Sequence, residues 1–246
     1  MFSNKFWIGA GALAASLLTA APAMAQYGYL FGMPRVSLTL RAGAAQPAAN
    51  DELFQFFTER LTLEPSDFRA ATFGADLGVR ILPRVDVMLS AGVSQSTDHS
   101  WFRDFTEDND QEIRQTTELT RVPVTAGLKL HLLPRGRSLS RYAFIPSRVS
   151  PYVGGGIGAM FYTLEQYGDF VDEETLEIWT DSFEEDGAAF TANAFAGGDF
   201  WLGKRVAINV EGRYNWAQAD LNYDFADFEN VDLRGWQLTA GVTLRY

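Results

Sequence analysis

Alternation of apolar and polar positions recurs along most of the chain and predicts β-strands. Successive side chains of a strand point to opposite faces, so a period of two gives a strand one apolar face. The clearest case ends the chain, where an unbroken apolar row is formed by Trp236, Leu238, Ala240, Val242, Leu244 and Tyr246. Polar or small residues fill the positions between them. This final stretch therefore predicts a strand that has one apolar face and ends on an aromatic residue.

Seven earlier segments alternate in the same way, which makes eight predicted strands. Their ranges are 34–44, 69–82, 85–94, 117–132, 151–163, 188–202 and 206–215, followed by 236–246. Pro123 falls inside the fourth strand, and a proline cannot donate a hydrogen bond to a neighbouring strand. We therefore expect a local defect of the ladder at Pro123.

The connections between the predicted strands alternate between long and shorter. Residues 96–115, 164–187 and 217–233 are predicted as loops, with strand extensions as an open alternative in 96–115, and a long segment also follows the first strand. In that segment Asn50 and Asp51 could cap a short helix that carries Leu53, Phe54, Phe57 and Leu61. Short turns at one rim and long loops at the other are the layout of outer-membrane barrels.

The apolar row of these strands is almost free of charge, whereas the polar row carries charges of both signs. A charge that faces lipid at mid-depth costs roughly 2–4 kcal/mol, and water imposes no such rule on an outer face. The pattern therefore favours a barrel with its apolar face in lipid over a soluble barrel with an apolar interior. An interfacial aromatic girdle is predicted from Phe161, Phe200, Tyr214, Trp236 and Tyr246.

Three stretches, 121–134, 151–162 and 190–214, resemble the OmpA-like family of eight-stranded outer-membrane β-barrel proteins. They read RVPVTAGLKLHLLP, PYVGGGIGAMFY and FTANAFAGGDFWLGKRVAINVEGRY. The resemblance implies an all-β fold, an eight-stranded antiparallel up-and-down transmembrane β-barrel with short periplasmic turns and long acidic extracellular loops. We expect the protein to be a monomer. The peptidoglycan-binding domain of some relatives is expected to be absent, because the chain stops at the last strand.

The first 25 residues have the composition of a secretory signal peptide. Lys5 precedes an apolar core, and Ala23, Met24 and Ala25 form a small-x-small cleavage site. The core is shorter than the roughly 20 residues that span a membrane. We therefore predict a signal peptide at 1–25 and a barrel domain at 26–246, located in the bacterial outer membrane.

The polar row predicts a charged network in the barrel interior. Its expected members are Asp76, Arg80, Arg121, Lys129, Glu211, Arg213 and Arg245. We expect Glu211 to pair with Arg213 and Arg245, and Asp76 to pair with Arg80. A barrel of eight strands is just wide enough for side chains to fill it. A salt-bridged plug is therefore the first interpretation, and a narrow pore for ions or small solutes is the alternative.

The long-loop rim is acidic, with ten acids and no base between residues 165 and 186. Six of them are candidates for interaction, either directly or through divalent cations that bridge to anionic lipopolysaccharide: Asp172, Glu173, Glu174, Glu184, Glu185 and Asp186. No EF-hand spacing is present, so a solvated, self-repelling loop is the plainer interpretation. The opposite rim is basic, with several arginines in the connection 133–150.

The chain offers little for catalysis. It has no cysteine, which excludes disulfides and thiolate sites, and its net charge of -11 disfavours nucleic acid. His99 and Ser100 are neighbours on one predicted strand and point to opposite faces, and His131 has the pattern of a hydrogen-bonded interior histidine. We expect no cofactor and no metal site.

These observations favour a non-enzymatic barrel with a structural or surface-interaction role. A narrow pore is the second hypothesis, and a lipid-modifying enzyme is the third. Expected partners are outer-membrane lipid and lipopolysaccharide. The barrel-assembly machinery is a further expected partner, through the closing strand with Trp236, Leu238, Val242, Leu244 and Tyr246.

Overall fold

A computed structural model describes residue 30 and residues 32–49, 52–106, 112–140, 143–171, 177–220 and 230–246. The predicted signal peptide, residues 1–25, lies outside this set. Within the described residues, no helix combines the length and the apolar character needed to cross a membrane.

Eight long antiparallel strands close into a ring, as the sequence predicts. The described elements, in chain order, are β1 (Val36–Pro47), α1 (Glu52–Arg60), β2 (Ala70–Leu82), β3 (Val85–Thr106), β4 (Glu112–His131), β5 (Gly136–Ser140), β6 (Ala143–Pro146), β7 (Val149–Val171), β8 (Ile178–Trp201), β9 (Val206–Asp220), β10 (Asn230–Asp232) and β11 (Gly235–Arg245). Strands β1, β2, β3, β4, β7, β8, β9 and β11 form the ring. Pairing of β1 with β11 closes it, and β10 continues the ladder of β11 along β9.

The faces of the strands are oriented as the alternation predicts. Apolar side chains such as Leu77, Leu89 and Ile157 are exposed on the outside, and charged side chains of the other row are buried inside. The exposed aromatics Trp236, in β11, and Tyr246, directly after it, are ten positions apart. At about 3.4 Å per residue and a tilt near 40°, they lie about 26 Å apart along the barrel axis. That matches the apolar band of about 25 Å that outer-membrane barrels present to lipid.

The ladder between β3 and β4 is interrupted beside Pro123, which confirms the predicted defect. Ala91 lies opposite Val124, and the recorded pairing resumes with Ser94 opposite Arg121. The register is the same on both sides of the gap. The proline therefore removes local pairing without shifting the strands.

Four strands extend much further than the alternation indicates. β3, β4, β7 and β8 contain 22, 20, 23 and 24 residues, so most of the predicted loops 96–115 and 164–187 are paired strands. The strand extensions that the sequence allowed within 96–115 are confirmed, and the prediction of a loop over all of 164–187 is wrong. Apolar alternation indicates only the part of a strand that contacts lipid. Beyond the lipid the ladder continues with polar residues on its outer face, and the signal is lost. Glu184, Glu185 and Asp186, expected in a loop, lie in β8.

A plug formed by α1 fills the long-loop mouth of the barrel, and its presence confirms the predicted helix. Leu53, Phe54 and Phe57 on α1 are completely or almost completely buried. They belong to one core with inward-facing apolar residues of the strands, including Leu119, Met160, Tyr162, Leu164, Ala189, Ala217, Val231 and Leu233. The predicted caps Asn50 and Asp51 lie outside the described residues.

A small hairpin of β5 and β6 lies in the connection 133–150 on the turn side, where the sequence predicts no strand. Leu30 pairs with Phe144 of this hairpin through two backbone hydrogen bonds of 2.9 and 3.0 Å. The start of the described chain and the hairpin thus meet at the turn-side rim.

Candidate functional site

A cluster of four ionised side chains occupies the middle of the barrel lumen. The guanidinium of Arg41 donates to both carboxylate oxygens of Asp76, at 2.9 and 3.2 Å. Nη2 of Arg213 lies 3.5 Å from Asp76 and donates to Glu211 at 2.8 Å. All four side chains are almost fully buried. Buried charges of this kind persist only when they are paired and hydrogen-bonded, so the cluster is held as a unit.

Gly74 makes room for this cluster. It lies opposite Arg41 in the pairing of β1 with β2. A Cβ at this position would stand 3.0 Å from Cζ of Arg41. The absence of a side chain at Gly74 therefore lets the guanidinium cross over to Asp76.

A second chain of hydrogen bonds links this cluster to the turn side. The hydroxyl of Tyr152 donates to Glu211 at 3.0 Å, and Asn209 donates to Tyr152 and to Asp199, each at 2.8 Å. Lys129 lies 3.7 Å from Asp199, with its ammonium 3.6 Å from the ring centre of Tyr152. These groups come from β4, β7, β8 and β9, so the links cross the lumen.

Three residues predicted for one network lie in other layers of the lumen. Asp76 pairs with Arg41 and Arg213 instead of Arg80, and Arg245 donates to the carbonyl of Lys204 instead of pairing with Glu211. Asp76 and Arg80 are four residues apart on β2, so their side chains are about 13 Å apart. Side chains from other strands therefore pair with Asp76. Arg121 donates to the carbonyl of Leu233 at 3.2 Å, directly beneath the plug. Arg41 alternates with Leu40 and Ala42 and so belongs to the polar row, but it is not among the network members that the sequence predicts.

The lumen is therefore filled at two levels. Apolar side chains of α1 and the strands pack in the loop-side part, and paired charges cross the middle. An eight-stranded barrel has little space beyond what its own side chains occupy. The arrangement is suited to blocking passage.

Above the membrane, β7 and β8 form a long hairpin that carries both acidic and aromatic residues. Glu118, Glu165 and Glu184 are consecutive neighbours across β4, β7 and β8. Burial, and then the charges of Glu184 and Glu118, raise the pKa of Glu165. Near the tip, Phe170 packs against Phe183 with ring centres 4.8 Å apart. Tyr167, Ile178 and Trp179 are also exposed.

The candidate groups for interaction fall in different places on this hairpin. Glu184 is exposed, whereas Glu185 is buried, so the two do not form one surface. Asp172, Glu173 and Glu174 lie outside the described residues. Within the described ranges, no group of three or more histidine or acidic side chains is arranged to hold a metal ion.

His99 and Ser100 do not form a catalytic pair. Nδ1 of His99 is 2.9 Å from the hydroxyl of Thr116, and Ser100 is buried on the other face of β3. His131 lies inside the turn-side mouth, with Nε2 3.4 Å from Asp86, and Arg135 contacts both.

Two solved structures and one family model are similar to this chain. OprG, an outer membrane protein of Pseudomonas aeruginosa, superposes with a TM-score of 0.50 at 14% identity, covering 88% of this chain and 99% of its own. Neisserial surface protein A superposes with a TM-score of 0.44 at 12% identity, covering 89% and 98%. No curated protein sequence matches the chain. The family model for the outer membrane protein beta-barrel domain matches residues 11–245. The chain therefore belongs to this family of bacterial outer-membrane β-barrels.

Proposed function

We propose that the protein is a closed, non-enzymatic barrel that presents its outer hairpins as an interaction surface. The observation that carries this proposal is the filled lumen beneath strands that extend well beyond the aromatic girdle. A barrel whose interior is filled by its own side chains leaves no path for solutes. Its outer hairpins are then the part that is free to contact partners.

Single-channel recording in a planar bilayer tests the closed state. We expect no resolved conductance steps from the native protein. A variant with residues 50–66 replaced by a Gly-Ser linker, with Arg41, Asp76, Glu211 and Arg213 all changed to Ser and with Tyr152→Ala, should conduct. The plug, the central cluster and the Tyr152 link are then removed, and no buried charge of the cluster is left unpaired. A native barrel with reproducible steps that change in Arg213→Ser would make it a pore and contradict the proposal.

The outer hairpin of β7 and β8 is the proposed contact surface. Its carboxylates include half-buried Glu165 and exposed Glu184, which lie opposite each other and repel. Divalent cations bind carboxylate oxygens and would relieve this repulsion, so we propose that Ca²⁺ bridges the acidic rim to the phosphates of lipopolysaccharide.

Proteolysis of intact cells tests this contact. We expect millimolar Ca²⁺ to protect the outer hairpin from protease in the native protein and not in a Glu165→Gln, Glu184→Gln variant. Thr163→Ser on the same strand is the matched control and should behave as the native chain does. Equal cleavage with and without Ca²⁺ in the native protein would rule out the cation bridge.

A further inference from the structure

A crevice opens at the turn-side mouth of the barrel and carries an excess of positive charge. It is a small crevice of about 30 Å³, open to solvent, between the start of β1, the hairpin of β5 and β6, and the ends of the ring strands. Its charged lining consists of Arg35, Lys129, Arg135, Arg245, Asp86 and Asp199. With four basic and two acidic side chains, and His131 counted as neutral, the lining has two uncompensated positive charges.

Both carboxylates of the crevice contact other groups of the lining, although Oδ1 of Asp86 is buried without a hydrogen-bond donor in the described structure. Asp86 contacts Arg135 and His131. Asp199 accepts hydrogen bonds from Asn209 and Thr243 and faces Lys129. Within the described parts of the chain, neither Arg80 nor Arg245 has a carboxylate within 4.0 Å.

Three arginines at this rim have buried N–H groups without a hydrogen-bond acceptor in the described structure. These groups are Nε of Arg135 and Nη2 of Arg245, which line the crevice, and Nη1 of Arg80, which is not part of its lining. Arg245 is only 6% exposed, and its guanidinium is fixed by the carbonyl of Lys204 and by the ring of Trp201, 3.3 Å below it. Arg135 repels both Arg80 and Arg245 electrostatically. Buried donors without an acceptor are costly, and like charges held close add to that cost.

We propose that this crevice binds a phosphate group. A tetrahedral oxyanion supplies several acceptors at once, and the planar fork of arginine matches them with two parallel hydrogen bonds. Its charge would also offset the repulsion among Arg80, Arg135 and Arg245. Two sources fit the position at the short-turn rim, which faces the periplasm in this architecture. They are the headgroup of an inner-leaflet phospholipid and a free phosphate in the periplasm.

Binding of inorganic phosphate tests the site directly. The full chain, extracted from outer membranes in a glucoside detergent, is titrated with phosphate at constant ionic strength, and the broadening of the ³¹P NMR line is followed. We expect saturable binding that weakens about tenfold in Arg245→Gln, because one charge-assisted hydrogen bond is lost. Arg84→Gln is the matched control, since Arg84 is exposed on the same rim and does not line the crevice. It should bind within twofold of the native protein.

Native mass spectrometry separates the two sources. The same proteins are mixed with short-chain phosphatidylglycerol, and retained lipid is counted. Retention that is lost in Arg245→Gln, without binding of inorganic phosphate, identifies the lipid headgroup. Binding of inorganic phosphate that survives in phospholipid discs identifies the free anion. If Arg245→Gln fails to fold, as judged by heat-modifiable migration on gels, Arg35→Gln replaces it. Absence of both kinds of binding, or equal binding in the crevice variants and Arg84→Gln, would overturn the proposal.

Discussion

At the scale of single residues, the ion pairs inside the barrel depend on which side chains lie opposite each other across the lumen. The period of two places Asp76, Glu211 and Arg213 on the inner face, because orientation along one strand depends only on sequence parity. Partners depend on register and on free space. Arg41 reaches Asp76 because Gly74 lies beside it on the neighbouring strand.

Neutralising one member of the central cluster should destabilise the barrel strongly. Arg41→Met leaves Asp76 buried with only the more distant Arg213, so we expect a loss of about 3 kcal/mol or more in the free energy of unfolding. The paired change Arg41→Met with Asp76→Leu should cost much less, because no buried charge is then uncompensated. Urea unfolding in lipid vesicles measures both. Equal losses in the single and double variants would show that the ion pair is not the source of the effect.

Outside the membrane, Asp98 on β3 should titrate near neutral pH. Burial, followed by the charge of Asp67, raises the pKa of Asp98 to about 6. Because its pKa is higher in the folded state than in the unfolded chain, stability should fall as pH rises from about 4 to about 6 and level off above. NMR titration of the carboxyl carbon checks the midpoint. Asp67→Asn should move that midpoint down, and an unchanged midpoint would exclude Asp67 as a cause.

At the scale of elements, the helix and the lipid-spanning strands could be predicted, while the extensions of β7 and β8 could not. The spacing of Leu53, Phe54 and Phe57 indicates one apolar helical face. The extensions of β7 and β8 lack a continuous apolar row because no apolar environment covers their outer face along its length. Likewise, β5 and β6 are too short for alternation to distinguish them from a loop.

Substitution of a buried apolar side chain of α1 should release the helix from the barrel mouth and leave the strands folded. Phe54 is fully buried and Phe56, on the same helix, is 36% exposed. Phe54→Ala should cost the plug about 3–5 kcal/mol, whereas Phe56→Ala should cost far less. Limited proteolysis between residues 48 and 69 measures the local opening, and circular dichroism monitors the strands. Equal cleavage of the two variants would mean that α1 is not held by its apolar face.

At the scale of the whole molecule, the barrel and its outer hairpins are separable. The lipid-facing girdle and the closed ring do not include the outer parts of β7 and β8. The number of strands and the orientation of their faces are predictable because lipid imposes them on every spanning strand. Lipid does not determine how far the hairpins extend above the membrane, so their length is not predictable from the alternation.

Shortening the tallest hairpin should therefore leave the barrel intact. Leu164 pairs with Glu185, so residues 165–184 can be replaced by an Asn-Gly turn, which suits a two-residue hairpin. We expect the same heat-modifiable migration and a thermal midpoint close to that of the native protein. Loss of the folded form on gels would show that the hairpin contributes to barrel formation.

Closure of the ring by β1 and β11 has a consequence for how the chain folds. The hydroxyls of Thr39 and Thr243 lie 2.9 Å apart across this seam, although 204 positions separate them in the sequence. Such distant contacts require most of the chain to be ordered before they form, which makes folding slow. Until β11 arrives, both β1 and β9 present open edges that invite pairing with other chains. Pairing of β11 is thus the step at which an aggregation-prone intermediate with open strand edges becomes a closed barrel without edges.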